Sequence, residues 1–260
     1  MTTRDAVTVP APPTRPGRSR TAALVREAAI MVGVYVLYSL IRNHAPNRVG
    51  PANAHSHDIL SVEKSLGLDI EHGINHFAAQ HTAAITVANY MYATLFLPSA
   101  IFVLIWLWRR APGQYVVQRT VLVVMTLMAL VSYYTFPATP PRLLPGGGFI
   151  DTVRVFETWG RSATATSSGV SNEYAAMPSM HFGWALWCGI AFYGATRVAW
   201  QRVLAIAFPV VTLFVIIATG NHFLLDAIAG AAAYGIAFAA VRVSRRMTLR
   251  DPADEAPLAA

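Results

Sequence analysis

Three short stretches hold residue types that can move a phosphoryl group. They are Pro140-Pro141-Arg142, Met177-Pro178-Ser179-Met180-His181, and Gly220-Asn221-His222-Phe223-Leu224-Leu225-Asp226. His222 and Asp226 are four residues apart, so on a helix they share one face. A carboxylate in that position accepts a hydrogen bond from one imidazole nitrogen. This fixes the tautomer and leaves the other nitrogen free as a nucleophile. Pro178 suits a first helical position, where its missing N–H is not needed. The free amides of such a first turn favour an anion, and Ser179 adds a hydroxyl donor. His181, within the same turn, can protonate a leaving oxygen. Arg142 sits in a proline-stiffened loop, and its planar guanidinium matches phosphate oxygens. Together the residues predict one site. Phosphorus lies among Arg142, the amides near Ser179, and Asn221; His222 attacks it and His181 protonates the departing oxygen. A phosphohistidine forms, and water or an alcohol then takes the group. The scheme calls for no metal and no cofactor.

The elements that position these residues follow from composition. The 260-residue chain is 55% hydrophobic and 13% charged, where soluble domains carry about 25% charge. Its mean hydropathy is +0.43. These values predict a membrane protein. The net charge of +7 does not imply nucleic acid, because basic clusters beside apolar runs set membrane orientation. Six apolar runs are long enough, or nearly so, to span a bilayer: Ala23–Ile41, Ala84–Trp108, Val121–Phe136, Pro178–Tyr193, Val203–Thr219 and Phe223–Val241. With both termini cytoplasmic, 14 of the 20 basic residues lie inside and 6 outside. All eight histidines then fall on the outer side of a plasma-membrane protein.

Two outer segments are long. From Arg42 to about Thr82, Ile59, Val62, Leu66, Ile70, Ile74 and Phe77 recur every three or four positions. This predicts short interfacial amphipathic helices, interrupted near Gly67 and Gly73. From Pro137 to about Ala176 a Pro/Gly stretch and a Ser/Thr stretch predict a lid over the site. The expected fold is therefore all-α: a six-transmembrane bundle with interfacial helices and an outer-face lid loop. The catalytic domain is expected over 21–246, between disordered tails at 1–20 and 247–260. The absence of an internal repeat argues against an inverted-repeat transporter.

Other residues have plainer readings. His72 and His76 have i, i+4 spacing but no companion ligands, which argues against a metal pair. His44, His55, His57 and His81 read as interfacial or lid residues, and Trp106 and Trp108 as anchors at the inner face. Ala227, Gly230 and Ala233 are at helix-packing spacing, and the lone Cys188 reads as packing. Asp58 and Glu63 read as a solvated face. Histidines in spans also serve transporters and haem carriers, a competing class that an absorbance spectrum and a His222→Ala variant would separate from an enzyme.

The PSMH and GNHFLLD stretches resemble the second and third signatures of the type 2 phosphatidic acid phosphatase superfamily. The likeness extends from about Ala52 to Ala240. The Pro-Pro-Arg-Leu-Leu stretch and the GNH form are most similar to its inositol phosphorylceramide synthase-like branch. The resemblance implies six spans, an outer-face site and a lipid-phosphate substrate. It also implies His222 as nucleophile, Asp226 as its partner, His181 as the acid and Arg142 as a phosphate ligand. Two departures remove cations. No Lys precedes Arg142 at the usual place in the first signature, and Ile216 stands where an Arg usually precedes the third-signature histidine. Fewer cations suit a phosphodiester or polar-headgroup lipid better than a phosphomonoester dianion. They tilt the expectation from hydrolysis by water toward transfer to a polyol. The sequence leaves the oligomeric state open.

Overall fold

The stretch Met180–Ala195 is apolar on every face, and a helix of that kind belongs inside protein or lipid. In the computed structural model, which describes residues 20–44, 48–158 and 174–249, it does become the centre of the bundle. The described elements are α1 (Arg20–His44), α2 (Val49–Leu66), α3 (Glu71–Ala79), α4 (Thr82–Thr94), α5 (Phe96–Arg110) and α6 (Pro112–Thr135). A 3-10 turn (Pro141–Leu143) and α7 (Thr152–Val155) follow, then α8 (Met180–Ala195), α9 (Ala199–Ala218) and α10 (Leu224–Leu249). Among the described residues no strand forms; Ala138 and Ala175 make one isolated bridge.

Helix α8 packs against α5, α6, α9 and α10. Glycines permit the closest approaches. A Cβ on Gly230 of α10 would stand 2.4 Å from the Ser179 carbonyl oxygen, and one on Gly189 of α8 would stand 2.4 Å from that of Ala205. Both buried indoles of α8 find acceptors on α6: Trp184 donates to Thr126 Oγ1 (3.1 Å) and Trp187 to the Gln118 carbonyl (3.0 Å). That satisfies polar atoms whose burial would otherwise be costly.

Backbone packing divides the chain after Leu37. In residues 1–37 the described element is the first part of α1, where Arg26 pairs with Glu27 at 3.2 Å. Residues 38–260 hold every element from α2 onward.

Of the six expected spans, length and composition support four or five. Helices α1, α6, α9 and α10 are long and apolar enough to cross a membrane, and α4 with α5 would make a fifth, bent by 52°. Pro98 explains the break, because it lacks the N–H that would continue α4 into α5. Helix α8 has only 16 residues, or about 24 Å of rise.

Helix α2 ends where Gly67 takes φ +66°. Gly73 lies inside α3 and interrupts nothing. The expected single apolar face is instead divided. Ala52, Ser56, Ile59, Leu60 and Glu63 turn inward, while Val62, Leu66, Ile70 and Phe77 are exposed.

The expected lid is tied down where it is described. Asn75 Nδ2 donates to the carbonyls of Ile150 and Ala218, and its Oδ1 accepts from the Ile150 amide (2.8 Å). Asn89 donates to Thr158 Oγ1 and accepts from Thr152 Oγ1, both at 2.9 Å. The Ser/Thr-rich part of that segment, 159–173, lies outside the described residues, as do 1–19 and 250–260 of the expected tails. Helix α10 continues past the expected domain end at 246 to Leu249.

Candidate active site

The site forms where α8 and α10 begin and where the turn after α6 folds back onto them. Reciprocal hydrogen bonds pin that turn to α2. The Thr139 amide donates to Ser56 Oγ, and Ser56 Oγ donates to the Thr139 carbonyl, each at 2.8 Å. The turn also docks on Gly220 through the Arg142 amide, which donates to the Gly220 carbonyl (2.8 Å). Gly220 has φ +65°, and a Cβ there would meet Arg142 Cβ at 3.2 Å and Asn75 Nδ2 at 3.3 Å. Only glycine takes that conformation at no steric cost. The GN pair before His222 is therefore a backbone requirement that brings Arg142 beside it.

The structure brings His222, Asp226, His181 and Arg142 to one place. His222 is 4% exposed and Asp226 is fully buried. Their Nδ1 and Oδ2 atoms are 3.3 Å apart, and Oδ2 also accepts from the Phe223 amide (3.0 Å). His222 Nε2 is buried with no hydrogen-bond partner among the described residues. The His181 and His222 ring centres are 5.7 Å apart. Tyr92 stacks on His181 at 4.0 Å, and Phe96 meets the same ring edge-on at 4.6 Å. Arg142 Nε donates to Asn221 Oδ1 (2.9 Å), and its guanidinium pairs with Asp151 at 3.3 Å.

Ser179 and Asn221 are engaged differently from the sequence expectation. Ser179 is fully buried. It is the N-cap of α8, its Oγ accepting from the Phe182 amide (3.4 Å), and its own amide donates to the Asp226 carbonyl (2.9 Å). Helix α8 therefore starts after Ser179, and Pro178 precedes the cap, joined to Met177 by a cis peptide bond. Asn221 accepts from Arg142 and donates to Thr219 Oγ1 (2.8 Å), so it orients the guanidinium.

Sequence reading missed several neighbours: Tyr92 and Phe96 around His181, Asp151 on Arg142, and two glutamates. Glu63, expected on a solvated face, is 0% exposed and accepts from the Leu225 amide (2.7 Å). Glu71 accepts from the Leu224 amide at the same distance. The inward face of α2 carried a signal for Glu63, which follows Ile59 and Leu60 at helical spacing. No such signal marked Glu71. Ile216, in the place of the missing arginine, is fully buried and packs with Ile217 and Ala227 beside Tyr92. His72 stacks on His76 (4.2 Å between ring centres), and His76 Nε2 lies 2.8 Å from the Gly148 carbonyl.

The described residues are those of an all-helical chain with four or five helices of membrane-crossing length, the build of a multi-pass membrane protein, with two histidines and a carboxylate near the starts of α8 and α10 and an arginine in the turn beside them. The chain belongs to the PAP2 superfamily, whose sequence profile matches residues 57–240. Members of this superfamily are in general phosphatases and phosphotransferases, many of them acting on lipid phosphates in membranes. No curated protein and no solved structure shows significant similarity to the chain.

Proposed function

We propose that this protein is a lipid phosphotransferase that works through a phosphohistidine intermediate at the extracytoplasmic face of the plasma membrane. In this reading six passes cross the bilayer, α4 with α5 and α8 included, and both termini are cytoplasmic. The observation that carries it is the state of the His222 ring. Nδ1 is tied to Asp226, while Nε2 is buried, unbonded and beside His181. With Nδ1–H donating to Asp226, Nε2 holds the lone pair.

That lone pair attacks phosphorus as the bond to the leaving oxygen breaks. His181 gives the leaving oxygen a proton, and Asp226 stabilises the imidazolium-like ring. The acceptor hydroxyl then attacks the phosphohistidine and passes its proton to His181. Arg142, aimed by Asn221 and Asp151, holds the phosphoryl oxygens. Ser179 acts by capping the helix that carries His181. The chemistry needs no metal. Its cation-poor pocket, with Ile216 in place of an arginine, favours a singly charged phosphodiester or headgroup lipid, and a polyol as acceptor. In this reading the chain works like the inositol phosphorylceramide synthase-like branch of the superfamily.

The test uses a lipid substrate radiolabelled in its phosphoryl group, incubated with and without candidate alcohols. Alkali-stable, acid-labile label on the wild-type protein and its absence from His222→Ala is the expected result. Product formed only with an alcohol identifies transfer. Release at full rate without one of inorganic phosphate from a phosphomonoester lipid, or of the headgroup phosphomonoester from a phosphodiester lipid, identifies hydrolysis by water instead. Inhibition by vanadate and indifference to chelators are expected, and strong inhibition by EDTA would refute the metal-free chemistry.

A further inference from the structure

The start of α10 is held by Asp226 and by two groups that the phosphoryl chemistry does not use. Phe223 precedes the helix and has no side-chain oxygen to cap it. Instead, three consecutive amides each donate to a different buried carboxyl. Phe223 N–H goes to Asp226 Oδ2 (3.0 Å), Leu224 N–H to Glu71 Oε1 (2.7 Å), and Leu225 N–H to Glu63 Oε1 (2.7 Å). Glu63 comes from the last turn of α2 and Glu71 from the first residue of α3. They are 0% and 1% exposed. Their remaining oxygens, Glu63 Oε2 and Glu71 Oε2, have no donor among the described residues.

Three buried carboxylates around one helix start cannot all be charged. The helix offers only about half an elementary charge in compensation, and like charges sharing a site force a proton onto one of them. Burial pushes Glu63 up to about 8. The Leu225 amide opposes this, while the charges of Glu71 and Asp226 and a hydrogen bond to Glu71 add to it. A single proton on Glu63 Oε2, donated to Glu71 Oε2, satisfies both orphaned oxygens.

We propose that Glu63 and Glu71 are positioning residues: a carboxyl pair sharing one proton, which clamps the first amides of α10 and so sets where His222 and Asp226 point. Its catalytic consequence rests on the reading of His222 as nucleophile. Two groups supply the opposing charge, Glu71 from α3 and Asp226 from α10. Lys64, Asp69 and His72 line a cavity of about 350 Å³ that Glu71 also borders.

The one-proton arrangement has a signature that simple packing lacks. A glutamine at either position keeps the network, because its carbonyl accepts the helix amide and its NH₂ donates to the other carboxylate. Glutamine at both positions sets two NH₂ groups against each other with no acceptor.

The experiment measures kcat and KM against pH for the full chain in lipid nanodiscs, alongside its thermal midpoint. Wild type is compared with Glu63→Gln, Glu71→Gln and the double variant. In the wild type, kcat is expected to fall as pH rises through about 8. Glu63→Gln retains most of its kcat and loses that alkaline limb, with KM unmoved. The double variant falls by about 100-fold in kcat, the cost of misplacing a reacting group by about an ångström, and by more than the product of the single effects. Single variants as damaging as the double, or an alkaline limb that persists in Glu63→Gln, would overturn the proposal. So would a divalent-cation requirement abolished by Glu63→Gln, because the carboxylates would then be ligands.

The thermal midpoint tests the pair independently of the reaction. The folded protein binds the Glu63 proton more tightly than the unfolded chain, so stability falls as pH rises from about 4.5 to about 8. Glu63→Gln should flatten that slope. If the wild type turns over no lipid, the functional reading fails while the slope still decides the pair. An unchanged slope in Glu63→Gln rejects the pair whatever the activity.

Discussion

The two histidines stand 5.7 Å apart, ring centre to ring centre, in opposite surroundings. His222 is enclosed and polar on one side, with Nδ1 on a fully buried carboxylate and the next three backbone amides each held by a carboxyl. His181 is half-buried between two aromatic rings, Tyr92 and Phe96. The contrast fits a division of labour. A nucleophile gains from a fixed tautomer and a fixed direction, whereas an acid that becomes a base must exchange its proton each turnover. The two rings restrain the plane of His181.

Breaking the His222 side should cost most. His222→Ala should reduce turnover on the order of 10⁴-fold or more and abolish covalent labelling. Asp226→Asn should follow, on the order of 10⁴-fold in kcat, because an amide can favour the wrong tautomer. His181→Ala should lose about 10²- to 10⁴-fold on a natural lipid. A substrate with a nitrophenol leaving group should restore most of that loss, because such a group departs without a proton. Equal rescue of His222→Ala would erase the distinction between the two rings. Tyr92→Leu should cost up to about tenfold in kcat, since a stacked ring contributes about 0.5–1.5 kcal/mol. The loss should appear on the natural lipid and shrink on the activated one. The smallest effect is expected for Gly220→Ala, where a left-handed backbone costs a non-glycine residue about 1–2 kcal/mol. A lower thermal midpoint and a KM raised more than kcat is lowered would show Arg142 displaced from its seat.

The His222–Asp226 pair was expected from i, i+4 spacing on one helix, but His222 lies two residues before α10; the contact forms because Asp226, in the first turn, reaches back to the residues that precede the helix and also accepts from the Phe223 amide. The approach of His181 and Arg142 was legible only through the resemblance of their motifs, since it depends on contacts such as the Arg142 amide on Gly220 and the Ser179 amide on Asp226. Pro178 was placed two steps too far into its helix, because a serine that caps looks in sequence like a serine inside a first turn. Tyr92 and Phe96 were invisible because aromatic residues in an apolar run read as lipid-facing. Glu63 could have been found from the inward row that begins at Ala52, but a lone carboxylate among exposed neighbours reads as solvated. The all-helical class followed from hydropathy. Helix length alone supports four or five of the six expected spans, because a proline splits one run into α4 and α5 and because α8 is short.

The shortness of α8 has a consequence of its own. At about 24 Å it falls about 6 Å short of a hydrocarbon layer of about 30 Å. If its far end meets the opposite border, the histidine on its first turn lies about 6 Å inside the hydrocarbon border, below the headgroup layer that holds the lipid phosphates. A substrate would then enter along its leaflet with its tails still in oil, its phosphate dipping into the protein below the headgroup layer to meet an acceptor that descends from the water.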